Sequence, residues 1–194
     1  MEETLNPKES LRLISETLRC TQENFAENSF GFKLWGWLIA IASFTTYFLL
    51  SQSLIEFPYL PFPVMAITGV FISIWHYRKK RSEDATQTYL NYYLNQMWLV
   101  LGVSFFITVF VSVQNNIQPF SYTLIIAGIG TMISGLVMKF RPMQAGGLAF
   151  LAAVIISVFV SDDIRPLVHG IAIVLGYLVP GYLLAASRRT DDVP

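Results

Sequence analysis

Long apolar stretches without a charged residue alternate along this chain with short breaks that carry charges, prolines or amides. A helix needs about 20 apolar residues to cross the roughly 30 Å hydrocarbon layer of a bilayer, at about 1.5 Å per residue. The pattern therefore predicts an all-α polytopic membrane protein with six transmembrane helices arranged as three hairpins. The predicted spans are 34–55, 60–77, 94–113, 120–138, 144–160 and 166–187.

The stretch 85–138 contains no charge and is too long for one crossing. Asn115 and Asn116, followed by Pro119, are typical of a turn and divide it into the third and fourth spans. Each hairpin has a proline near its outer turn and basic residues at its exit. Two explanations are open: a degenerate threefold repeat, or the common need of every hairpin for a breaker outside and positive charge inside.

The basic residues orient the predicted spans. Of the 13 Lys and Arg, only Arg165 falls on the outer side of the six-span arrangement, and the other 12 fall on one face. Lys and Arg are retained on the cytoplasmic side, so both termini are expected there. The chain then divides into a cytoplasmic amphipathic helix at 1–31, a transmembrane domain at 32–187 and a cytoplasmic tail at 188–194.

Composition agrees with a membrane protein and excludes other classes. Hydrophobic residues make up 54% of the chain and charged residues 13%, with a formal net charge of zero. A nucleic-acid-binding protein would show a basic excess, and a disordered chain would show low hydrophobicity. The single cysteine, Cys20, excludes a disulfide framework and a cysteine-based metal cluster.

The N-terminal segment has the pattern of an amphipathic helix. Pro7 suits its first turn, and an apolar stripe recurs at helical spacing. Residues 1–31 carry a net charge of −3, which does not favour anionic lipid. Three roles are open: a lead-in on the membrane surface, docking on the chain's own basic loops, or binding of a cytoplasmic or membrane protein partner through residues 7–28. The stripe consists of Leu11, Ile14, Leu18 and Phe25.

Part of this region resembles a known family. Pro7, the residues at 9–11 and 13–14, and the Leu-Trp-Gly-Trp run at 34–37 are similar to the opening of a family of small uncharacterised bacterial multi-pass membrane proteins. The resemblance lies mainly in residues 7–37. It implies a location in the bacterial inner (cytoplasmic) membrane, and it supplies neither an activity nor catalytic or binding residues.

Candidate chemistry inside the spans is sparse. Away from their ends, the six predicted spans contain no Asp, Glu, Lys or Arg, the residues that usually mark coupling or catalysis in a membrane. His169, with Asp163 nearby, is the candidate for a polar, metal or proton site at the outer face. The competing interpretation has His169 hydrogen bonding at the interface and Asp163 capping the sixth helix. We expect no catalytic, cofactor or metal site.

Pro180 and Gly181 predict a kink in the sixth span, because proline removes a helical hydrogen bond. Such a kink lines the substrate path in some transporters, and in other proteins it is only relieved by neighbouring helices. The leading functional hypothesis is a non-catalytic interaction or regulatory protein that binds neither a cofactor nor nucleic acid. The alternative is a facilitator or binding protein for an uncharged or lipid-like solute near Pro180. An enzyme that depends on His169 and Asp163 ranks third.

Overall fold

A computed structural model describes residues 8–13, 15–16, 29–52, 57–80 and 89–191, and all regular secondary structure in these ranges is helical. The expected all-α class is therefore confirmed for the described chain. The helices are α1 (Phe30–Gln52), α2 (Pro61–Lys80), α3 (Tyr89–Gln114), α4 (Phe120–Val137), α5 (Arg141–Phe159), α6 (Arg165–Ile173) and α7 (Val179–Asp191), and a π-helical segment, Val174–Leu178, joins α6 to α7.

Among the described residues, five helical stretches are long and apolar enough to cross a membrane, which supports the predicted membrane protein. They coincide with the first, third, fourth, fifth and sixth predicted spans. The second predicted span coincides with a shorter apolar helix, Pro61–His76. The five stretches are Phe30–Gln52, Tyr92–Gln114, Phe120–Val137, Arg141–Phe159 and Arg165–Ser187.

Two predicted breaks form tight turns. Asn116 has a φ of 56° and Lys139 a φ of 52°, so both residues adopt the left-handed conformation. Beyond α3, the backbone N–H of Ile117 donates to Ser112 at 2.8 Å, and beyond α4 that of Phe140 donates to Gly135 at 2.9 Å. These bonds satisfy carbonyls that the helix ends would leave free, and they reverse the chain.

At two glycine positions, helices α4 and α5 approach each other more closely than a side chain at that position would allow. A Cβ atom at Gly135 would lie 2.6 Å from the backbone nitrogen of Gln144, and one at Gly147 would lie 2.8 Å from that of Met132. Small residues permit such approaches between membrane helices. By contrast, only 6% of the apolar window of α3 is buried, against 50% for α4.

The helix ends gather at two poles. The turn at 161–164 lies at one pole, named here the Arg165 end, where the Nε atom of Arg165 donates to the carbonyl of Ser157 at 3.2 Å. The turn at 138–140 lies at the other pole, named the Lys139 end, where Met138 is buried beside Leu184 of α7. Between them, Leu124, Phe150 and Ile173 lie in the core, together with Ala40, Ala127, Ala153, Ala172 and Tyr177.

Helix α2 lies against α1. Gly69 of α2 gives room to the side chains of Leu38 and Trp35, and His76 stacks on Phe30 with ring centroids 3.9 Å apart. Residues late in α2 therefore meet residues early in α1, so the two helices run antiparallel.

Candidate functional site

The most unusual feature of the helix bundle is a buried polar cluster centred on His169 of α6. The residue is only 4% exposed. Its Nδ1 atom lies 2.8 Å from the hydroxyl of Ser43 on α1, and its Nε2 atom lies 3.3 Å from the hydroxyl of Thr123 on α4. One imidazole thus connects three helices near the Arg165 end, and it does so inside the bundle rather than at its surface.

Each hydroxyl in this cluster has a second partner one helical turn back. Ser43 donates to the carbonyl of Ile39 at 2.7 Å, and Thr123 donates to the carbonyl of Phe120 at 2.8 Å. A hydroxyl has one proton and a neutral imidazole has one N–H, so these contacts cannot all be hydrogen bonds at once. Each hydroxyl can turn its proton toward either the carbonyl or the ring, and the cluster therefore accommodates both tautomers of His169.

Aromatic rings shield the imidazole. The ring centroid of Phe120 lies 5.3 Å from that of His169, and the centroid of Phe62 lies 6.1 Å away in an edge-on arrangement. Gly170 follows His169, and a Cβ atom at this position would lie 2.9 Å from the ring of Phe44. The glycine therefore allows the Phe44 ring to pack directly against α6. The polar cluster is therefore enclosed by apolar surface.

A cavity of about 330 Å³ opens beside this cluster and is called here the α3 cavity. Helices α1, α3, α4 and α6 with the π segment line this half-open cavity, which extends from Thr123 and His169 to Asn95 near the Lys139 end. Pockets for small molecules commonly measure about 300–1,000 Å³. The lining residues are Gly31, Phe32, Trp35, Ile39, Asn95, Trp98, Leu101, Gly102, Phe105, Phe106, Thr123, Ile126, Ala127, His169, Ile173 and Tyr177.

The wall of the α3 cavity is aromatic and uncharged over the described residues. Trp98 packs edge-on against Phe32 at 5.2 Å, and its indole N–H donates to Ser134 at 3.0 Å. The hydroxyl of Tyr177 is engaged by Thr131. Because these polar groups already have partners, the cavity offers a ligand mainly apolar surface, with polar side chains at its two ends.

The structure separates the two members of the predicted outer-face site. His169 contacts Ser43 and Thr123, whereas Asp163 is exposed on the turn and binds Ser161, whose hydroxyl lowers the pKa of that carboxyl. Among the described residues, no group of three or more His, Cys, Asp and Glu is placed to hold a metal ion. The expected capping role of Asp163 is wrong, because Ile164 occupies the N-cap position of α6 and makes no side-chain cap bond.

The Arg165 end carries further polar contacts. The guanidinium of Arg165 pairs with Asp162 at 2.6 Å. Tyr59 accepts a hydrogen bond from Gln118 at 3.0 Å, and its ring lies near Phe120. Partial burial, followed by the negative charge of Asp162, raises the pKa of the Tyr59 phenol. These groups close the bundle above the His169 cluster.

Pro180 and Gly181 lie in a packed part of the bundle. A Cβ at Gly146 of α5 would lie 2.8 Å from both the ring of Pro180 and the carbonyl oxygen of Gly176, so α5 presses directly on this turn. The π segment ends just before it. As far as the chain is described, the α3 cavity extends along this helix to Tyr177 and does not include Pro180.

The N-terminal stripe is described only in part. Leu11 lies in a helical segment, 8–13, and is 65% exposed. Ile14, Leu18 and Phe25 lie outside the described residues. The stripe therefore remains a prediction beyond Leu11.

Sequence reasoning missed the residues that make the site. It gave His169 no hydroxyl partner, because Ser43 and Thr123 are 126 and 46 positions away in the chain. Nothing in the local pattern distinguishes Ser43 from other serines that bond to their own helix. Only the helix packing brings the three side chains together.

Comparison of the chain with protein-family models, curated proteins and solved structures finds no match to any of the three. The helices and the cavity therefore define its class: an all-α membrane protein whose helices line an apolar cavity beside a buried histidine cluster.

Proposed function

We propose that this protein binds an uncharged, lipid-like molecule in the α3 cavity and that its function is non-catalytic. The observation that carries the proposal is a cavity of about 330 Å³ with no charged side chain among its described lining residues. A membrane pocket of this chemistry favours a ligand that is itself dissolved in the lipid, because burying a charge there would be costly.

Access from the lipid phase follows from the position of α3. This helix packs along α4, where Trp98 and Leu101 lie against Gly130. It meets α1 through the ring contact of Trp98 with Phe32 at the Lys139 end. Elsewhere α3 is largely exposed, and Val103 is 52% exposed. The cavity is half open, so a ligand can enter it sideways from the bilayer without a movement of the helices.

The finer topology belongs to the same proposal. We place the Lys139 end on the cytoplasmic side of a bacterial inner membrane, with six spans and both termini inside. Twelve of the 13 basic residues then face the cytoplasm, and only Arg165 faces outward. The apolar part of α2, Pro61–His76, rises about 24 Å and packs antiparallel on α1, which supports a sixth crossing. A reporter that is active only outside the cytoplasm should be active when fused at Asn115 and inactive when fused at Lys139. Equal activity of the two fusions would contradict this topology.

A cavity-filling substitution tests ligand binding. Gly102 lines the cavity, and a Cβ placed there would meet no heavy atom within 4 Å. Gly102→Phe should therefore put a ring into the cavity without a clash. Val103→Phe adds a similar ring on the neighbouring exposed position of α3 and is the matched control. Both are made in full-length protein carrying Trp37→Phe and Trp75→Phe.

Those two replacements leave Trp35 and Trp98, which both line the cavity, as the only fluorescent indoles. Pyrene is the probe, and energy transfer from tryptophan to pyrene is measured in nanodiscs. We expect a saturable transfer in the parent and in Val103→Phe, reduced at least five-fold in Gly102→Phe. Equal, non-saturable transfer in all three proteins would show that pyrene only dissolves in the bilayer and would overturn the proposal.

A second function is favoured by one observation at the N-terminus. Leu11 is 65% exposed on the helical segment 8–13. An exposed leucine at this position suits a protein partner, in line with an interaction or regulatory role for residues 7–28. Crosslinking from position 11 of the full-length protein in cells identifies the partner, and co-purification of that partner is then compared with and without residues 1–28. Unchanged recovery of the partner after truncation would rule this role out.

A further inference from the structure

We infer that the α3 cavity selects uncharged ring compounds that carry a carbonyl or hydroxyl oxygen, the quinone and quinol class, and that His169 binds both forms by changing its tautomer. This inference rests on the proposed function and names the ligand class of the same cavity. It concerns binding alone.

The first argument is that one polar contact in the cavity wall is loose. The indole N–H of Trp98 lies 3.0 Å from the hydroxyl of Ser134, and the hydroxyl of Ser43 lies 2.8 Å from Nδ1 of His169. The contact between His169 Nε2 and Thr123 is 3.3 Å, beyond the usual 2.7–3.2 Å range. Both residues line the cavity. A ligand oxygen that reaches Nε2 at ordinary length would therefore replace a weak contact by a stronger one.

The second argument is the double role of Ser43. When its hydroxyl donates to Nδ1, the imidazole proton is on Nε2, which then donates to a ligand carbonyl. When the hydroxyl turns to the carbonyl of Ile39, at 2.7 Å, Nδ1 carries the proton and donates to Ser43. Nε2 then accepts from a ligand hydroxyl. Each state keeps Nδ1 hydrogen bonded, so a carbonyl and a hydroxyl are bound at similar cost.

The third argument is the shape and chemistry of the wall. Six of the lining residues are aromatic: Phe32, Trp35, Trp98, Phe105, Phe106 and Tyr177. Flat rings pack on such surfaces in offset or edge-on geometry. The volume of about 330 Å³ suits a substituted single ring rather than a whole phospholipid. An apolar ring with an oxygen at one end matches this wall and its polar end.

The experiment uses nitrogen NMR of full-length protein in nanodiscs, labelled at histidine and tryptophan. The chain has two histidines and four tryptophans. His76 stacks on Phe30 at the Lys139 end and is the internal control for His169. Trp35 and Trp98 report on cavity occupancy, whereas Trp37 and Trp75, 49% and 70% exposed, report on the surface.

The probes are duroquinone, its quinol and durene, which has the same methylated ring without oxygen. All three should shift the Trp98 signal. Duroquinone should move His169 toward the Nε2–H tautomer and the quinol toward the Nδ1–H tautomer, while durene leaves the ratio unchanged. Ser43→Ala removes the hydroxyl that hydrogen bonds Nδ1 in both tautomers, so the two opposite responses should become weaker although the Trp98 shifts remain.

Affinity gives a second readout. Replacing His169 by Phe should remove the preference for duroquinone over durene, which we expect to be two- to ten-fold, the value of one net hydrogen bond. If Trp98 responds to all three probes but the tautomer ratio does not change, the inference fails and the proposed function stands. If Trp98 responds to none of them and pyrene is not held, both fail. Should His169→Phe not fold, the Ser43→Ala spectra still decide the question.

Discussion

The contact between α4 and α5 allows a sharp prediction about stability. Gly147→Ala adds a single methyl group, which would lie 2.8 Å from the backbone nitrogen of Met132 and 2.9 Å from its Cα atom. Non-bonded carbon atoms prefer separations of about 3.5–4.0 Å. Backbone atoms cannot rotate away, so the two helices must separate by the order of 1 Å. Overpacking of this kind costs about 1–3 kcal/mol of the free energy of unfolding.

Gly102→Ala is the matched control. It is the same chemical change in an apolar membrane helix, but the new methyl group meets no heavy atom within 4 Å. Alanine also has the higher helix propensity, by about 1 kcal/mol, so this variant should be as stable as the parent or slightly more stable. Reversible unfolding in mixed micelles, followed by tryptophan fluorescence, gives both free energies. Equal stability of Gly147→Ala and Gly102→Ala would refute the argument that backbone contact dictates glycine at position 147.

Two further predictions concern polar contacts at the two ends of the bundle. Trp98→Phe removes the indole N–H that donates to the buried hydroxyl of Ser134 at 3.0 Å. The free energy of unfolding, measured in the same assay, should fall by about 1–3 kcal/mol. A decrease no larger than the experimental error would contradict this prediction. The pKa of Tyr59 is raised by burial and then by Asp162, so stability linked to this phenol is complete below its ordinary value of 10.0 and is lost as the pH rises through its folded pKa. Asp162→Asn removes the negative charge and frees Arg165, so the pKa of Tyr59 should fall in an ultraviolet difference titration against Tyr59→Phe, and a rise would refute this account.

The sequence pattern was sufficient for the helices and their turns. Charge-free length and the positions of proline and paired asparagines placed five of the apolar helices and the reversal after Gln114, because the cost of burying charges and free backbone groups acts locally. The second predicted span, 60–77, corresponds to α2, whose apolar part, Pro61–His76, is short because basic residues follow at 78–80.

The site was less predictable for a physical reason. His169 was identified as a candidate site residue, but the partner expected for it was its neighbour in sequence, Asp163. In the fold, α6 turns the imidazole inward to Ser43 and Thr123. That direction depends on which face of α6 packs on α1 and α4, and this packing is made by residues that lie far from α6 in the chain.

The π segment also sets the register of the last helix. His169, Ile173 and Tyr177 all line the α3 cavity at intervals of four residues, although in a continuous α-helix each interval would rotate the side chain by about 40°. The wider turns of Val174–Leu178 reduce this drift. The π segment takes up one residue more than α-helical winding would, so winding the same residues as a continuous α-helix would rotate the following helix by about 100° and take Pro180 away from Gly146. In this segment the winding of the backbone, and not only the chemical type of its residues, is therefore under structural constraint.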